Sequence, residues 1–239
     1  MIKINILFPV YNEHLRLEKG IIQTIEYLNT IIPDEYKCTI IDNASTDDTS
    51  EIALRLKSAY KEVEYIRLEE KGVGIAFREG VLVNSAPIVG YMDVDLSTDI
   101  KHLRDVLEIF SNEHIKIVNG SRWNKQSKTL GRKWYRKVTS NGLVWLLKIS
   151  LGMKASDGIC GFKFFRDNTV KELIKEAGNN ENGWFYIIEL LLRAERKKVN
   201  IFELPVRWKD DYNTTVNVKK QIINYIKEII KLKIKFLKE

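Results

Sequence analysis

The chain has 239 residues, of which 44% are hydrophobic and 30% are charged, so it contains enough apolar material for one compact α/β domain. Its net charge of +7 is uneven, because residues 217–239 carry seven lysines and two glutamates while the rest of the chain is nearly neutral. This distribution argues against a protein that binds nucleic acid over its whole surface. The three histidines show no metal-binding spacing. Cys38 and Cys160 indicate buried thiols in a reducing compartment. We expect neither a signal peptide nor a membrane-spanning helix.

The first half of the sequence alternates short apolar segments with amphipathic ones, which is typical of βαβ units. The predicted strands are residues 3–8, 37–42, 63–67 and 88–92. The predicted helices are residues 14–31, 48–59, 72–84 and 100–112. This order predicts an α/β fold with a mostly parallel twisted sheet flanked by helices.

The second half is less regular. We predict strands at residues 115–119, 159–165 and 199–206, and helices at residues 136–150 and 184–196. Residues 124–136 are polar and basic and are expected to form a loop. The expected organisation is one domain over residues 1–216, followed by a helix over residues 217–239.

The C-terminal segment 217–239 has the pattern of a basic amphipathic helix. One side of its helical wheel gathers the lysines Lys220, Lys227, Lys231, Lys235 and Lys238. Such a helix could lie on a membrane surface that contains anionic lipid, at the cytoplasmic face. It could also pack on the domain, or pair with a second copy of the chain in a homodimer.

The most informative motif is Asp93-Val94-Asp95, which ends an apolar run. On a strand this spacing places both carboxylates on one face. At the end of a strand they could converge on a hard cation such as Mg²⁺ or Mn²⁺, which usually holds a phosphate. A solvated turn after the strand is the alternative interpretation.

Two earlier strand ends carry residues that suit a nucleoside, and ligands of open α/β sheets bind beyond the carboxyl ends of the strands. Tyr11 could stack on a base, and Glu13 could accept a hydrogen bond from a ribose or base. Asp42 could accept the imide N–H of a pyrimidine. Alternatively, Tyr11 belongs to the core and Asp42 is a helix cap.

The segment after the third strand combines glycines with cations. Gly72 and Gly74 permit close approach of the backbone to a ligand, and Lys71 and Arg78 lie beside them in sequence. An ordinary glycine-containing loop is the alternative. Each motif alone is weakly specific, whereas their order and spacing together are much more specific.

In that order the motifs resemble the nucleotide-sugar half of the family 2 glycosyltransferases of GT-A fold. The matching segments read FPVYNE, IDNASTDDT, KGVGIAFREG and DVDLS. Three later segments resemble a narrower group, the dolichyl-phosphate mannose and glucose synthase branch, and they read NGSRW, DGICGFKFF and IFELPVRWKD. The resemblance covers roughly residues 3–215.

The resemblance implies a nucleoside-diphosphate sugar donor, linked to UDP or GDP, and a divalent metal cofactor, Mg²⁺ or Mn²⁺. It assigns to the nucleoside the residues Pro9, Tyr11, Glu13 and Asp42. It assigns to the nucleotide pocket or its rim the residues Lys71, Gly72 and Arg78. It assigns Asp93 and Asp95 to the ribose, diphosphate and metal, with Asp95 expected to bind the metal directly.

The acceptor side is expected in the second half of the chain. Guanidinium groups suit an acceptor phosphate, and the candidates are Arg122, Arg132 and Arg136, although a solvated basic loop is equally compatible. Asp157 lies where the family brings an acidic residue to the acceptor. It would be a general base for an alcohol acceptor, or an orienting residue for a lipid phosphate, which is already ionised. Trp184 lines the acceptor pocket or belongs to the core.

These observations predict an inverting, metal-dependent glycosyltransferase that transfers a sugar to a polyprenyl phosphate at the membrane surface. The alternative is the same fold acting on a soluble or glycan hydroxyl, with Asp157 as base. A more distant alternative is a non-catalytic basic module that binds membrane or nucleic acid through residues 217–239.

Overall fold

The computed structural model of the chain describes residues 1–131, 134–178, 181–209 and 218–239, with residues 134–140 and 218–221 described by their helical backbone alone. The strands of the first half are β1 Ile4–Val10, β2 Tyr36–Asp42, β3 Val63–Arg67 and β4 Ile88–Met92. Its helices are α1 Leu17–Ile31, α2 Thr49–Ala59, α3 Val73–Leu82 and α4 His102–Ile109. All of these elements were predicted from the sequence and are confirmed, with small differences at their ends.

The second half contains more elements than the sequence predicted. Its strands are β5 Ile117–Ser121, β6 Lys128–Leu130, β7 Phe162–Arg166, β8 Ile201–Pro205 and β9 Arg207–Lys209. Its helices are α5 Trp134–Leu151, α6 Asp167–Ala177, α7 Phe185–Arg196 and α8 Val218–Lys238. Of these, β6, β9 and α6 were not predicted. The predicted loop over 124–136 was therefore wrong in part, because β6 lies within it and pairs in parallel with the distant β9.

The main sheet has seven strands in the order β3-β2-β1-β4-β7-β5-β8. All neighbouring pairs are parallel except those of β7, which runs antiparallel to both β4 and β5. The mostly parallel sheet is therefore confirmed. We call the edge at which β1, β2 and β4 end, near Val10, Asp42 and Met92, the site edge, because ligands of such sheets bind there.

The strands near the centre of the sheet are buried on both faces, as the near-continuous apolar sequence of β1 requires. One apolar cluster joins the sheet to α1, α2 and α4, and a second joins it to α3, α6 and α7. Side chains that alternate along β7 divide between the faces, so Phe162 and Phe164 belong to the first cluster and Phe165 to the second. Helices therefore pack on both faces of the sheet and stabilise the strands that end at the site edge.

The C-terminal helix α8 packs on the domain, which was one of the sequence alternatives. Its inner face places Tyr225, Ile229, Leu232 and Phe236 in an apolar cluster with α5 and α7. Ion pairs fix its last turn, since Arg193 bonds to Glu239 at 2.8 Å and Lys235 bonds to Glu189 at 3.0 Å. Among the described residues, no helix has the length and apolar content that crossing a bilayer requires.

A second apolar face of α8 remains exposed. Its large aliphatic residues are Ile223, Ile226, Ile230, Ile234 and Leu237, which are 42–80% exposed. Because the inner face is already buried against the domain, this outer face is additional to what folding requires.

Candidate active site

The carboxylate of Asp93 lies just beyond the end of β4, partly buried in the site edge. It receives no hydrogen bond from the part of the chain that the structure describes. Gly161 forms its wall, since a Cβ on that glycine would lie 2.1 Å from the Asp93 Oδ2 atom. The backbone N–H of Asp93 also donates to the Gly161 carbonyl at 3.3 Å.

The pKa of Asp93 is raised from 3.8 to about 8. Burial is the largest cause, and the negative charges of Asp95 and then Glu13 add to it, against the opposing positive charges of Arg122 and Lys163. Asp93 is therefore a carboxylate whose protein surroundings supply too little positive charge to keep it ionised easily.

Asp95 is held by the residue two positions after it. Ser97 donates its backbone N–H to Asp95 Oδ1 and its hydroxyl to Asp95 Oδ2, each at 2.8 Å. The turn requires an unusual backbone, because Leu96 has a φ of 54°. These contacts fix the orientation of Asp95 and leave it capacity to accept further ligands.

The donor set of this site fits a divalent cation. Carboxylate oxygens are the ligands that Mg²⁺ and Mn²⁺ prefer, and Asp93 lacks both a hydrogen-bond donor among the described residues and sufficient positive charge. No group of three or more His, Cys, Asp or Glu residues suited to a metal occurs within the described ranges. The protein therefore offers two carboxylates, and phosphate oxygens and water would complete the shell, which is the usual arrangement for Mg²⁺.

Asp42 lies at the end of β2, level with Val10 of β1. Its buried carboxylate accepts the Ser45 N–H at 2.8 Å on Oδ1. The other oxygen, Oδ2, accepts hydrogen bonds from Ser50, Tyr65 and Arg67. Burial opposes the charge of Asp42, yet the hydrogen bonds from Ser45, Ser50 and Tyr65 outweigh it and lower the pKa. Asp42 is thus an ionised, oriented acceptor with no exposed surface in this structure, and its predicted contact with a base stays a prediction.

Tyr11 lies beside Asp42 because the loops after β1 and β2 are joined. The Asn12 N–H donates to the Ser45 hydroxyl at 3.0 Å, and the Asn12 side chain accepts the Thr46 N–H at 2.9 Å. The ammonium group of Lys71 lies 3.2 Å from the centroid of the Tyr11 ring. The structure therefore brings together Tyr11, Asp42 and Lys71, three of the predicted nucleotide residues.

Two other residues predicted for the nucleoside have clear positions near this group. Pro9 lies within β1, and its register partner on β2 is Ile41. Glu13 follows Tyr11 and bonds to Arg16 through both carboxylate oxygens, at 2.7 and 2.9 Å. Their roles in binding stay predictions.

The glycines at the start of α3 accommodate protein backbone. A Cβ on Gly72 would lie 2.3 Å from the Asn182 carbonyl oxygen, and a Cβ on Gly74 would lie 2.8 Å from that of Gly183. The Gly74 N–H donates to the Asn182 carbonyl at 2.9 Å, so a loop before α7 caps the N-terminus of α3. In this structure the close approach that these glycines permit is made by residues 182–183.

Arg78 lies within α3 and is buried, so it is not at an exposed rim of the site. Its side chain is buried, with the guanidinium 5.3 Å from the Tyr186 ring centroid. The Nη1 atom of Arg78 and the hydroxyl of Tyr186 find no hydrogen-bond partner among the described residues. Its predicted role at the nucleotide pocket stays a prediction.

Arg122 and Asp157, both predicted for the acceptor side, form a buried ion pair. The guanidinium donates to the two oxygens of Asp157 at 2.7 and 3.0 Å, and it lies 4.9 Å from the Trp208 ring centroid. Burial alone would raise the pKa of Asp157, but the charge and hydrogen bonds of Arg122 lower it. The backbone N–H groups of Arg122 and Ile159 also bond to this carboxylate.

This pairing limits what the two residues can do. Asp157 has no exposed surface and a lowered pKa, which makes it a weak proton acceptor. The Nε and Nη2 atoms of Arg122 donate to Asp157 inside the protein rather than to an open anion site. The geometry favours the orienting role of Asp157 over the role of general base.

The remaining acceptor candidates are placed only in part. Arg132 lies outside the described residues, and Arg136 falls in α5 where only the backbone is described. Trp184 immediately precedes α7, is partly buried and packs against two apolar clusters, as its core alternative expects.

Two residues near the aspartates, Lys163 and Ser97, were not predicted from the sequence to have a role. Lys163 lies on β7 with no exposed surface, below Asp93, and its only sequence signal is a cation among aromatic residues in FKFF. Ser97 follows the two aspartates closely enough that an Asx-type turn was foreseeable.

Comparisons with known proteins agree with this geometry. The chain matches the Glycosyl transferase family 2 family over residues 5–174, and it therefore belongs to that family. It is similar over 95% of its length to the crystal structure of glucosyl-3-phosphoglycerate synthase from Mycobacterium tuberculosis, with a TM-score of 0.67 and 18% identity. A complex of that enzyme with Mn²⁺, UDP and glucosyl-3-phosphoglycerate gives a TM-score of 0.65 at 17% identity and covers 95% of this chain and 80% of that chain. These likenesses show the GT-A fold.

Three relatives are more similar in sequence. Glycosyltransferase AglD of Haloferax volcanii is 27% identical over 232 residues, which is 96% of this chain and 37% of the relative. Dolichyl-phosphate beta-glucosyltransferase ALG5D of Trichomonas vaginalis is 27% identical over 217 residues, covering 87% of this chain and 66% of the relative. Dolichyl-phosphate beta-glucosyltransferase of Dictyostelium discoideum is 23% identical over 248 residues, covering 99% and 75% respectively. The chain thus spans less than two thirds of the first two relatives.

The raised pKa of Asp93 gives a testable pH dependence of stability. Because its folded pKa of about 8 exceeds the ordinary 3.8, ionised Asp93 destabilises the folded state, and this penalty is absent below about pH 4 and complete above about pH 8. The free energy of unfolding of the metal-free protein, compared with that of Asp93→Asn, should therefore fall as the pH rises through this window. Urea unfolding of both proteins at intervals from pH 5 to pH 8.5 measures the difference, and a constant difference would contradict the shift.

Proposed function

We propose that this family 2 glycosyltransferase is an inverting, metal-dependent enzyme that transfers a sugar from a nucleoside-diphosphate sugar to a polyprenyl phosphate. The observation that carries the proposal is the convergence at the site edge of Tyr11, Asp42 and the Asp93–Asp95 pair. These residues lie at or just beyond the ends of three neighbouring strands, β1, β2 and β4, that are distant in sequence. A base-binding group and a cation-binding group side by side match the two ends of a nucleoside diphosphate.

The donor would bind with its base at Tyr11 and Asp42 and its diphosphate toward Asp93 and Asp95. Asp42, which has no exposed surface, would act on the base side of the site by fixing the Ser45 backbone beside Tyr11, while Ser97 keeps Asp95 directed toward the diphosphate. A divalent cation held by Asp93 and Asp95 would neutralise the charge that develops on the departing nucleoside diphosphate. The acceptor oxygen attacks the anomeric carbon from the side opposite this leaving group, which inverts the configuration.

The environment of Asp157 supports a phosphate acceptor. A hydroxyl acceptor loses a proton during the reaction and benefits from a general base, whereas an ionised phosphate does not. Asp157 is buried, fully hydrogen-bonded and lowered in pKa, so it is poorly suited to take up a proton. The names of two relatives, which are dolichyl-phosphate glucosyltransferases, also support this acceptor.

A soluble acceptor is the second candidate. The observation in its favour is the fold shared with glucosyl-3-phosphoglycerate synthase, whose crystals contain phosphoglyceric acid. Under this alternative the acceptor would be a small phosphorylated hydroxy acid or a glycan, and Asp157 would act as the base.

The outer face of α8 supports a position at a membrane surface. Exposed isoleucines on this face lie beside lysines such as Lys227 and Lys231, and an apolar stripe edged by cations suits a bilayer that contains anionic lipid. A lipid-phosphate acceptor would then be reached without a membrane-spanning segment from this part of the chain.

The donor site is tested by nucleotide-dependent thermal stability. UDP with Mn²⁺, at about a hundredfold excess over Kd, should raise the melting temperature by about 5 to 10 °C. The rise should be small without Mn²⁺ and absent in Asp95→Ala, because the diphosphate then lacks its counter-charge. GDP with Mn²⁺ identifies the base preference, and Asp105→Ala on α4 is the control. An Asp95→Ala protein that responds like the wild type would refute the metal role.

The acceptor is tested by transfer of radiolabelled glucose from UDP-glucose to polyprenyl phosphate, polyprenol and 3-phosphoglycerate in parallel. We expect label in the polyprenyl phosphate. With this acceptor Asp157→Asn should lose little activity, since the pair with Arg122 is weakened but no proton transfer is removed. A loss of about 10²- to 10⁴-fold would instead identify Asp157 as a general base and favour the hydroxyl acceptor. Circular dichroism confirms that the variant is folded.

Membrane contact is tested by flotation with vesicles. The protein should float with vesicles that contain phosphatidylserine and much less with neutral phosphatidylcholine vesicles. Ile230→Ser should reduce flotation because it removes an exposed aliphatic group from the outer face of α8. Leu54→Ser changes an exposed aliphatic residue on α2 and should leave flotation unchanged. Equal flotation of all three proteins would contradict a role for this face.

A further inference from the structure

Lys163 is a fully buried lysine near the middle of the main sheet. It lies on β7, where its register partners are Tyr91 on β4 and Asn119 on β5. No other described lysine is buried. Burying an ammonium group is costly, and a strand at this position needs only an apolar side chain to pack. Its presence therefore requires an explanation beyond folding.

The ammonium group of Lys163 holds one carbonyl of the neighbouring loop. It donates to the Cys160 oxygen at 2.7 Å, and the Tyr91 hydroxyl donates to the same oxygen at 3.4 Å. No ion pair of Lys163 occurs among the described residues, whereas the nearby Arg122 is paired with Asp157. Lys163 is thus a buried cation whose described hydrogen bond goes to backbone.

This carbonyl belongs to the peptide that leads into the wall of Asp93. Gly161 follows Cys160, accepts the Asp93 N–H, and lies so close to the Asp93 carboxylate that no side chain fits between them. A displacement of the Cys160–Gly161 peptide would therefore move or release the Asp93 side chain. Lys163 lies below this contact and cannot itself reach a ligand, because it has no exposed surface.

We propose that Lys163 is a positioning residue for the diphosphate end of the donor, acting by fixing the Cys160–Gly161 peptide against Asp93. This inference rests on the proposed donor site and adds to it a residue that touches neither donor nor metal. Under this proposal the position of the Asp93 carboxylate depends on a residue of β7, the strand that runs antiparallel to both of its neighbours.

The test compares two ligands that differ in the diphosphate. Lys163→Met keeps the length and apolar stem of the side chain but removes its donor. Because the loss of a partner behind a metal ligand typically weakens the site about 10- to 100-fold, the Kd of UDP with Mn²⁺ should rise by this factor while that of uridine stays unchanged. Lys163→Arg, which keeps a donor and the charge, should bind UDP with Mn²⁺ more tightly than Lys163→Met does. Lys171→Met, on α6, is the matched control and should bind both ligands as the wild type does.

A second measurement does not depend on donor binding. Cys38 and Cys160 are both buried, so each reacts slowly with N-ethylmaleimide in the folded protein. In Lys163→Met the labelling of Cys160, followed by peptide mass spectrometry, should accelerate more than that of Cys38. If the wild type binds neither UDP nor GDP with Mn²⁺, the proposed donor site fails, and the cysteine labelling still decides whether Lys163 fixes this peptide.

Three outcomes would overturn the proposal. They are an unchanged Kd for UDP with Mn²⁺ in folded Lys163→Met, an equal loss of uridine and UDP binding, and an equal acceleration of labelling at both cysteines. Should Lys163→Met fail to fold, Gly161→Ala tests the same link, because its Cβ would displace the Asp93 carboxylate. That variant should weaken UDP with Mn²⁺ and spare uridine, and retention of both would equally overturn the proposal.

Discussion

The partly buried carboxylate of Asp93, which receives no hydrogen bond from the described residues, is the constraint on which the rest of the proposed site depends. Burial and the charges of Asp95 and Glu13 disfavour its ionised form, and the cations that oppose this shift, Arg122 and Lys163, do not bond to Asp93. A fold evolved only for stability would neutralise such a group or expose it. Under our proposal this carboxylate is the place for an outside cation, and the diphosphate of the donor would bind to the same cation.

The ion pair of Arg122 and Asp157, which we propose to lie near the acceptor, differs electrostatically from Asp93. Arg122 and Asp157 satisfy each other in the interior, and Trp208 covers the guanidinium. A paired buried charge contributes orientation and shape rather than reactivity, because its protonation state is fixed. The contrast between an unsatisfied carboxylate at one position and a satisfied one at the other is the basis on which we propose a donor role for Asp93 and an orienting role for Asp157.

The helix α8 has two apolar faces, one buried against the domain and one exposed. Its inner face completes an apolar cluster with α5 and α7, and ion pairs to Glu189 and Arg193 fix its end. The outer isoleucines add nothing to that packing. One helix thus serves the fold with one face and offers a second apolar face to a partner, for which a bilayer is our proposal.

Local sequence determined the alternating elements of the first half, the two aspartates after β4 and the polar residues after β1 and β2, because apolar periodicity and strand-end chemistry are properties of neighbouring residues. Only the tertiary structure decided that the glycines of α3 receive the 182–183 backbone, that Arg122 is paired with Asp157, and that β6 pairs with β9. It also placed Lys163 beneath Asp93 and the inner face of α8 on the domain. Each of these contacts joins segments far apart in the chain, and their energies depend on burial and on partners that no local pattern encodes.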